Sequence, residues 1–451
     1  MSDPQATSKL PSSNASPSQQ APSATASSDV APTEKLAGMF RRYGALPRLA
    51  GKGFIPLGLF ARLPLAMLTV GALTLLTAVS SSYAVGGLAA GAVGTGSAIG
   101  APIVGTLADR FGQRPVLQIA AILNTLAVIG LILAAYSATS FEGTGLIVCL
   151  VSALLSGFTC PQVGPLARVR WMAITKNGTS GAAGDLDTAM SYESTADELT
   201  FVLGPALVGI LASLVTPWLP LALAALLTLV LVPAFAVHPT HRAVASGTSR
   251  PRQERTSSAA GQWVAVAIPV AAMVCMGTLF GSTQTALGAF AGSFATSDLA
   301  GLLYSVMGLS SAASALTVAA WPERFGHTAR WIVCAAAMVV VAPLLLLPHS
   351  LGPMIPVLLL LGLTVGPVMV TVFAIGGLVS PVQNLGTVMT MLASGIVTGT
   401  AIGSSVAGSI AQSHGYTPAF LVPVAAAVAL LLLGAAAAVV VKRRKQTTTP
   451  N

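Results

Sequence analysis

Gly105-Thr106-Leu107-Ala108-Asp109-Arg110-Phe111-Gly112-Gln113-Arg114-Pro115 is the stretch on which the reading of the whole chain turns. It sets one acid, two arginines and two glycines between two long apolar segments, 84–107 and 115–136. A short charged hinge between apolar runs of that length is the pattern of a loop joining two membrane-spanning helices. About 20 residues of helix cross the hydrocarbon core.

Outward from this hinge the pattern repeats. Apolar segments of spanning length occur at 63–82, 84–107, 115–136, 144–166, 190–212, 219–237, 262–290, 299–320, 330–348, 353–376, 385–410 and 418–440. Backbone groups in lipid must be bonded internally, so these segments read as helices. They lack the period-2 alternation of an outer-membrane barrel. Composition agrees: the chain is 54% hydrophobic and 8% charged, with a mean hydropathy of +0.80. A soluble domain carries about a quarter charged residues.

A formal net charge of +9 could suggest a nucleic-acid partner, but the placement of the charges excludes it. With twelve predicted helices and the N-terminus inside, all 22 Lys and Arg residues fall on one side. That is the positive-inside rule, and it predicts cytoplasmic N- and C-termini. The partner implied is a lipid bilayer with an anionic inner leaflet. Arg62, at the mouth of predicted helix 1, reads as a snorkelling anchor. Trp171, Trp218, Trp263, Trp321, Trp331, Tyr83, Tyr136 and Tyr416 read as interfacial belts. Cys149, Cys160, Cys275 and Cys334 fall inside predicted helices without metal spacing and read as packing residues.

Residues 1–50 read as a disordered cytoplasmic tail, Ser-, Ala- and Pro-rich along most of their length. No apolar core near the N-terminus marks a signal peptide. The polar segment 238–261 divides the helices six and six, giving bundles at 51–237 and 262–441 and a basic tail at 442–451. The halves echo each other. Asp109-Arg110-Phe111-Gly112 corresponds to Glu323-Arg324-Phe325-Gly326, each after the second helix of its half. Leu155-Ser156-Gly157-Phe158-Thr159 resembles Leu360-Leu361-Gly362-Leu363-Thr364, each in the fourth.

The 105–115 motif resembles the G-x-L-a-D-R-x-G-R-[RK] loop of the major facilitator superfamily, with Gln113 in place of a basic residue. With the topology, the linker and the repeat, the resemblance extends over about residues 51–441. It implies an all-α membrane protein: twelve transmembrane helices in two six-helix bundles, related by an axis along the membrane normal. Within the superfamily the chain looks most like actinobacterial-type drug and metabolite exporters, through Arg62-Leu63-Pro64, the Pro161-to-Trp171 stretch, and Glu193 to Pro205. Two features depart from proton–drug antiporters: Ala153 stands where they carry an arginine, and Thr200 replaces a glycine ahead of Gly204-Pro205.

The resemblance assigns roles. Gly105, Asp109, Arg110, Gly112 and Arg114 form the gating motif; Asp109 would cap the N-terminus of helix 11, where a negative charge is favoured. Arg110 and Arg114 would pair with an acid in the same half. Helix 4 offers none, so Glu193 or Asp197 in helix 5 is expected to substitute. Helices 2 and 11 would face each other across the halves, with Gly87, Gly91, Gly96 and Gly100 meeting Gly395, Gly399 and Gly403.

Between Glu142 and Glu254 every acid lies within 185–198. Asp185 and Asp187 read as loop, whereas Glu193, Asp197 and Glu198 fall in helix 5. Acids at that depth are expensive and mark function, which makes these three the proton-coupling candidates. Pairing with Arg110, Arg114 or Arg168 to lock a gate is the structural alternative. Helix 7 lines the cavity in the superfamily, so Gln284 and Phe280, with Asn124, are the substrate-cavity candidates. No phosphate loop, nucleophilic triad, metal cluster or cofactor motif is present, and no enzymatic activity is expected.

These features together suggest proton-coupled efflux of small amphipathic compounds by alternating access, in a multi-pass protein of the plasma or inner membrane. A proton-coupled nutrient importer and a non-transporting receptor or scaffold of the same fold are the alternatives.

Overall fold

The computed structural model describes residues 41–177, 182–244, 259–294, 299–322 and 324–447. Among them twelve helices are long and apolar enough to cross a membrane. They are α1 Phe54–Ser80, α2 Ala84–Phe111, α3 Gln113–Ser137, α4 Gly143–Lys176, α5 Gly184–Leu214, α6 Leu219–Val237, α7 Gln262–Gly292, α8 Leu299–Ala320, α9 His327–Leu346, α10 Leu351–Val379, α11 Val382–His414 and α12 Tyr416–Val440. The described residues contain no strand. The expected count matches this architecture, and residues 245–258 of the expected linker lie outside the described residues.

Three helices begin or end well beyond their apolar segments. α1 starts nine residues early and is interrupted at Arg62, two residues ahead of Pro64. α4 continues past a break at Thr159–Gln162, where Pro161 removes a backbone donor, into a second helical piece, Val163–Asn177. The helix that contains α5 begins at Ala182, so Asp185 and Asp187 lie in helix rather than in a loop. The cause is common to all three. Arg62, Arg168, Arg170 and Asp187 depress the hydropathy of these stretches, yet all four are buried in the bundle. Hydropathy reads a charge as a loop; burial with a partner keeps it in the helix.

The tail boundary at residue 50 also moves. Residues 1–40 lie outside the described residues, but Leu46–Ala50 is a short helix with Leu46 and Ala50 buried. Just before it, the Arg42 guanidinium donates to the Ala319 carbonyl and the Tyr43 hydroxyl donates to the Leu316 carbonyl at 2.7 Å. The segment therefore straps the first half to the end of α8 in the second. Burial holds the Tyr43 hydroxyl above its ordinary pKa, so it remains a donor. At the other end of the chain, helix continues from α12 to Thr447.

Much of the close helix packing falls inside each half. A Cβ built on Gly157 of α4 would lie 2.0 Å from the Val93 carbonyl oxygen of α2, and one on Gly100 of α2 would lie 2.0 Å from that of Phe158. In the second half a Cβ on Gly362 of α10 would lie 2.3 Å from the Met307 carbonyl oxygen of α8. The short echo between residues 155–159 and 360–364 thus marks one packing device used twice. Gly399 and Gly403 of α11 meet the carbonyls of Val274 and Thr278 in α7, while Gly87 and Gly91 meet nothing within 4 Å. The expected glycine seam between α2 and α11 is therefore replaced by two seams internal to the halves. α2 and α11 do touch, but at Gly105, whose Cβ position lies 2.0 Å from Thr390 Oγ1, and through Ser394, whose hydroxyl donates to the Ala98 carbonyl.

The aromatic belt divides in two. Tyr136, Trp218 and Trp263 are exposed. Trp171 and Trp331 are fully buried, against the expectation of interfacial anchors, because each indole N–H has an internal acceptor: Glu193 for Trp171 and the Leu430 carbonyl for Trp331.

Candidate functional site

The 105–115 motif joins the halves at the end of the bundle that carries the basic loops. Asp109 accepts from the backbone N–H of Gly386 at 2.9 Å and of Thr387 at 2.7 Å, and from the Thr387 hydroxyl at 2.8 Å. Those donors open α11, and their unsatisfied N–H groups favour an anion. Gly386 permits the approach, since a Cβ there would lie 2.7 Å from Asp109 Oδ1. Gly112 adopts φ +89° between α2 and α3, a conformation that suits glycine. Arg110 and Arg114 are exposed, and the Arg110 guanidinium sits 5.2 Å from the centre of the Phe111 ring. Gln113 is buried instead: it accepts from Arg170 Nε at 2.8 Å and donates to the Leu166 carbonyl. Arg170 also donates to the Phe235 carbonyl and the Thr240 hydroxyl, fastening the end of α6. A second junction lies at the same end. Asp187 of α5 pairs with Arg330 Nη1 at 2.8 Å and His327 Nε2 at 3.0 Å, both at the start of α9. Glu323, the repeat counterpart of Asp109, lies outside the described residues.

The expected pairing of Arg110 and Arg114 with the acids of α5 is not what forms. Arg62 takes that place. Its Nη2 lies 2.5 Å from Glu193 Oε2 and its Nη1 lies 2.8 Å from Asp197 Oδ1, while Nε donates to the Gly58 carbonyl. Asp197 Oδ2 accepts from Arg168 Nη2 at 2.8 Å, and Glu193 Oε1 accepts from the Trp171 indole at 2.8 Å. Two arginines and two acids close into a neutral cluster on α1, α4 and α5. Arg62 is 4% exposed, so it is a core residue and no snorkelling anchor. The break in α1 falls at Arg62 itself, and the break at Pro161 precedes the helical piece that carries Arg168 and Trp171. Sequence reasoning placed the acids and missed Arg62. The signal that could have found it is the Arg62-Leu63-Pro64 kink, which turns an arginine within the helix.

Glu198, one residue beyond Asp197, faces the other way. It is 6% exposed and accepts from the Ser311 hydroxyl of α8 at 2.8 Å, across the boundary between the halves. Beside it the Thr195 hydroxyl donates to the Ala312 carbonyl of α8. The three proton-coupling candidates thus differ in surroundings: Glu193 and Asp197 are held by buried cations, and Glu198 by a neutral hydroxyl.

A narrow cleft between the halves is lined by Arg62, Arg168 and Asp197. Thr200, Gln162, Ser97, Phe373 of α10, and Ser394 and Val397 of α11 complete much of its wall. The substrate-cavity candidates are not among these residues. Asn124 is buried and donates to the Ser156 carbonyl at 2.6 Å, tying α3 to α4. Gln284 is exposed, and Phe280 is buried in the core of the second half. Among the described residues no group of three or more His, Cys, Asp or Glu could hold a metal ion.

Two similar helical halves around a charged inter-half cleft, with twelve spans of membrane-crossing length, define a multi-pass membrane protein. The family model described as Major Facilitator Superfamily matches residues 54–374 and again 269–451, and the chain belongs to that superfamily. Similar solved structures share the fold. The human organic anion transporter MFSD10 (TETRAN) superposes with a TM-score of 0.64 at 18% identity, over 85% of this chain and 99% of that one. A bacterial homologue of the iron transporter ferroportin, in its outward-facing state, gives 0.61 at 13% identity, over 85% and 99%. The E. coli fucose:proton symporter FucP gives 0.57 at 16% identity, over 85% and 98%. Among curated proteins none matches the chain significantly in sequence. Family and fold point to secondary transport rather than to catalysis.

Proposed function

We propose that the chain is a proton-coupled secondary transporter of the plasma or inner membrane that exports small amphipathic compounds by alternating access, with the basic end cytoplasmic. Glu198 carries this reading. It is a carboxyl at the α5–α8 boundary whose hydrogen-bond donor is a neutral hydroxyl on the opposite half. Packing the halves over an ionised carboxylate costs desolvation, and a proton on Glu198 removes that cost. Closure and proton uptake therefore favour each other, and separation of the halves releases the proton to the side that opens. The Arg62–Glu193–Asp197–Arg168 cluster serves as the fixed electrostatic frame beside the cleft. Asp109 and Asp187 serve as the cytoplasmic latches. Export rather than import rests on the resemblance of residues 62–64, 161–171 and 193–205 to exporters.

Everted vesicles with an inside-acid gradient test this. Addition of a transported compound is expected to dissipate the gradient with the native protein. Glu198→Gln should retain substrate exchange across the membrane and lose the proton flux. Gradient dissipation that survives Glu198→Gln would sink the assignment of this residue. Dissipation that requires substrate preloaded in the lumen, with substrate and proton leaving together, would reverse the direction.

A further inference from the structure

Arg168 has more hydrogen-bonding capacity than its surroundings use. It is 0% exposed, and one of its nitrogens, Nη2, is bound to Asp197. Its Nε and Nη1 have no hydrogen-bond partner among the described residues. Buried donors on a charged group are rarely left unmet, and each such case calls for an explanation. The guanidinium also lies 3.8 Å from the centre of the Phe373 ring, which comes from α10 in the opposite half. Both residues line the cleft. Gly164 adds a further observation. A Cβ there would lie 3.1 Å from Asp197 Oδ1 and 3.8 Å from Arg168 Nη1, so glycine keeps the approach to both groups clear.

We propose that Arg168 and Phe373 form a subsite for the anionic head of the solute, and that the solute class is an amphipathic monocarboxylate with an aromatic or alkyl body. The subsite rests on the transport reading above for its purpose, and on its own geometry for its chemistry. The unmet N–H groups of Arg168 donate to a carboxylate oxygen in a charge-assisted bond. The ring of Phe373 holds the guanidinium plane and offers a face to the solute body. Leu65, Ala66, Ile396 and Val397 give the apolar remainder of the wall. The four charges of the Arg62–Glu193–Asp197–Arg168 cluster cancel, and the unmet donors of Arg168 serve one carboxylate. A cation meets Arg62 and Arg168 without a free acid, since both oxygens of Asp197 are engaged.

Three probes of one shape test the inference: 1-naphthylacetate, 1-naphthylmethylamine and 1-naphthaleneethanol. Binding to the purified full-length protein in lipid nanodiscs is read by the ligand-induced rise in Tm and by titration. The carboxylate is expected to bind at least tenfold tighter than the amine or the alcohol. Arg168→Gln should abolish that preference, Arg168→Lys should retain part of it, and Phe373→Leu should weaken carboxylate binding while leaving the cluster intact. Phe373→Leu also covers the case in which Arg168→Gln fails to fold. Equal binding of the three probes, tighter binding of the amine, or a carboxylate preference unmoved in both Arg168→Gln and Phe373→Leu overturns the subsite. Flux assays on the same probes separate the two proposals. Proton-coupled movement of the amine or alcohol without carboxylate preference removes the subsite and keeps the transport reading. Carboxylate binding dependent on Arg168 without flux of any probe keeps the subsite and removes the transport reading.

Discussion

At the scale of single residues, the division of labour among arginines is the main result. Arg62 is buried between Glu193 and Asp197, whereas Arg110 is exposed on the hinge. Removing one partner from a buried ion pair strands the other charges, at about 3–5 kcal/mol. A surface substitution is usually within about 0.5 kcal/mol. Arg62→Ala is therefore expected to lower the unfolding temperature in detergent sharply, and Arg110→Ala to leave it nearly unchanged. Equal effects would mean that the cluster does not hold the first half together. The acids of α5 were legible in the sequence because charges are scarce in a chain this apolar. Arg168 was legible as one possible partner, but Arg62 was not, because a charge near a predicted helix end has the same hydropathy whether it faces headgroups or a carboxylate. Gln113 shows the same limit. It appears as a missing basic residue in the loop motif, and its place is decided by Arg170, which is 57 positions away in sequence.

At the scale of helices, the echo of residues 155–159 in 360–364 acquires a physical meaning. Gly157 and Gly362 each lie against a backbone carbonyl of the neighbouring helix. A methyl group at either position overpacks the contact, and overpacking costs about 1–3 kcal/mol. Gly157→Ala and Gly362→Ala should destabilise the protein by similar amounts, as read from thermal unfolding. Gly87→Ala, which meets open space, should be neutral or mildly stabilising through helix propensity. A neutral Gly157→Ala would remove the close-packing account. The existence and number of the helices were plain from apolar length alone. Which glycine face meets which helix was not, since a spacing of four residues marks a face without naming its neighbour.

At the scale of the whole molecule, the halves are held at the basic end by Asp109 on the first turn of α11 and by Asp187 with Arg330 and His327. Loss of one latch should shift the population toward separation at that end, since two states few kcal/mol apart respond to a change of this size. Spin labels at the exposed positions Arg114 and Arg324, one on each half, report it. Arg330→Ala is expected to add longer distances to their distribution, and an unchanged distribution would show that Asp109 alone suffices. One more element belongs to this junction. The segment ahead of α1 reaches across with Arg42 and Tyr43 to the end of α8, so the chain's own leading residues are part of what must let go when that side opens. A bulky fusion or an immobilising tether placed just before Arg41 would thus act as a brake or a lever on the cycle. The same addition after Thr447 would not touch that strap, which makes the trailing end the better attachment point for measuring native rates.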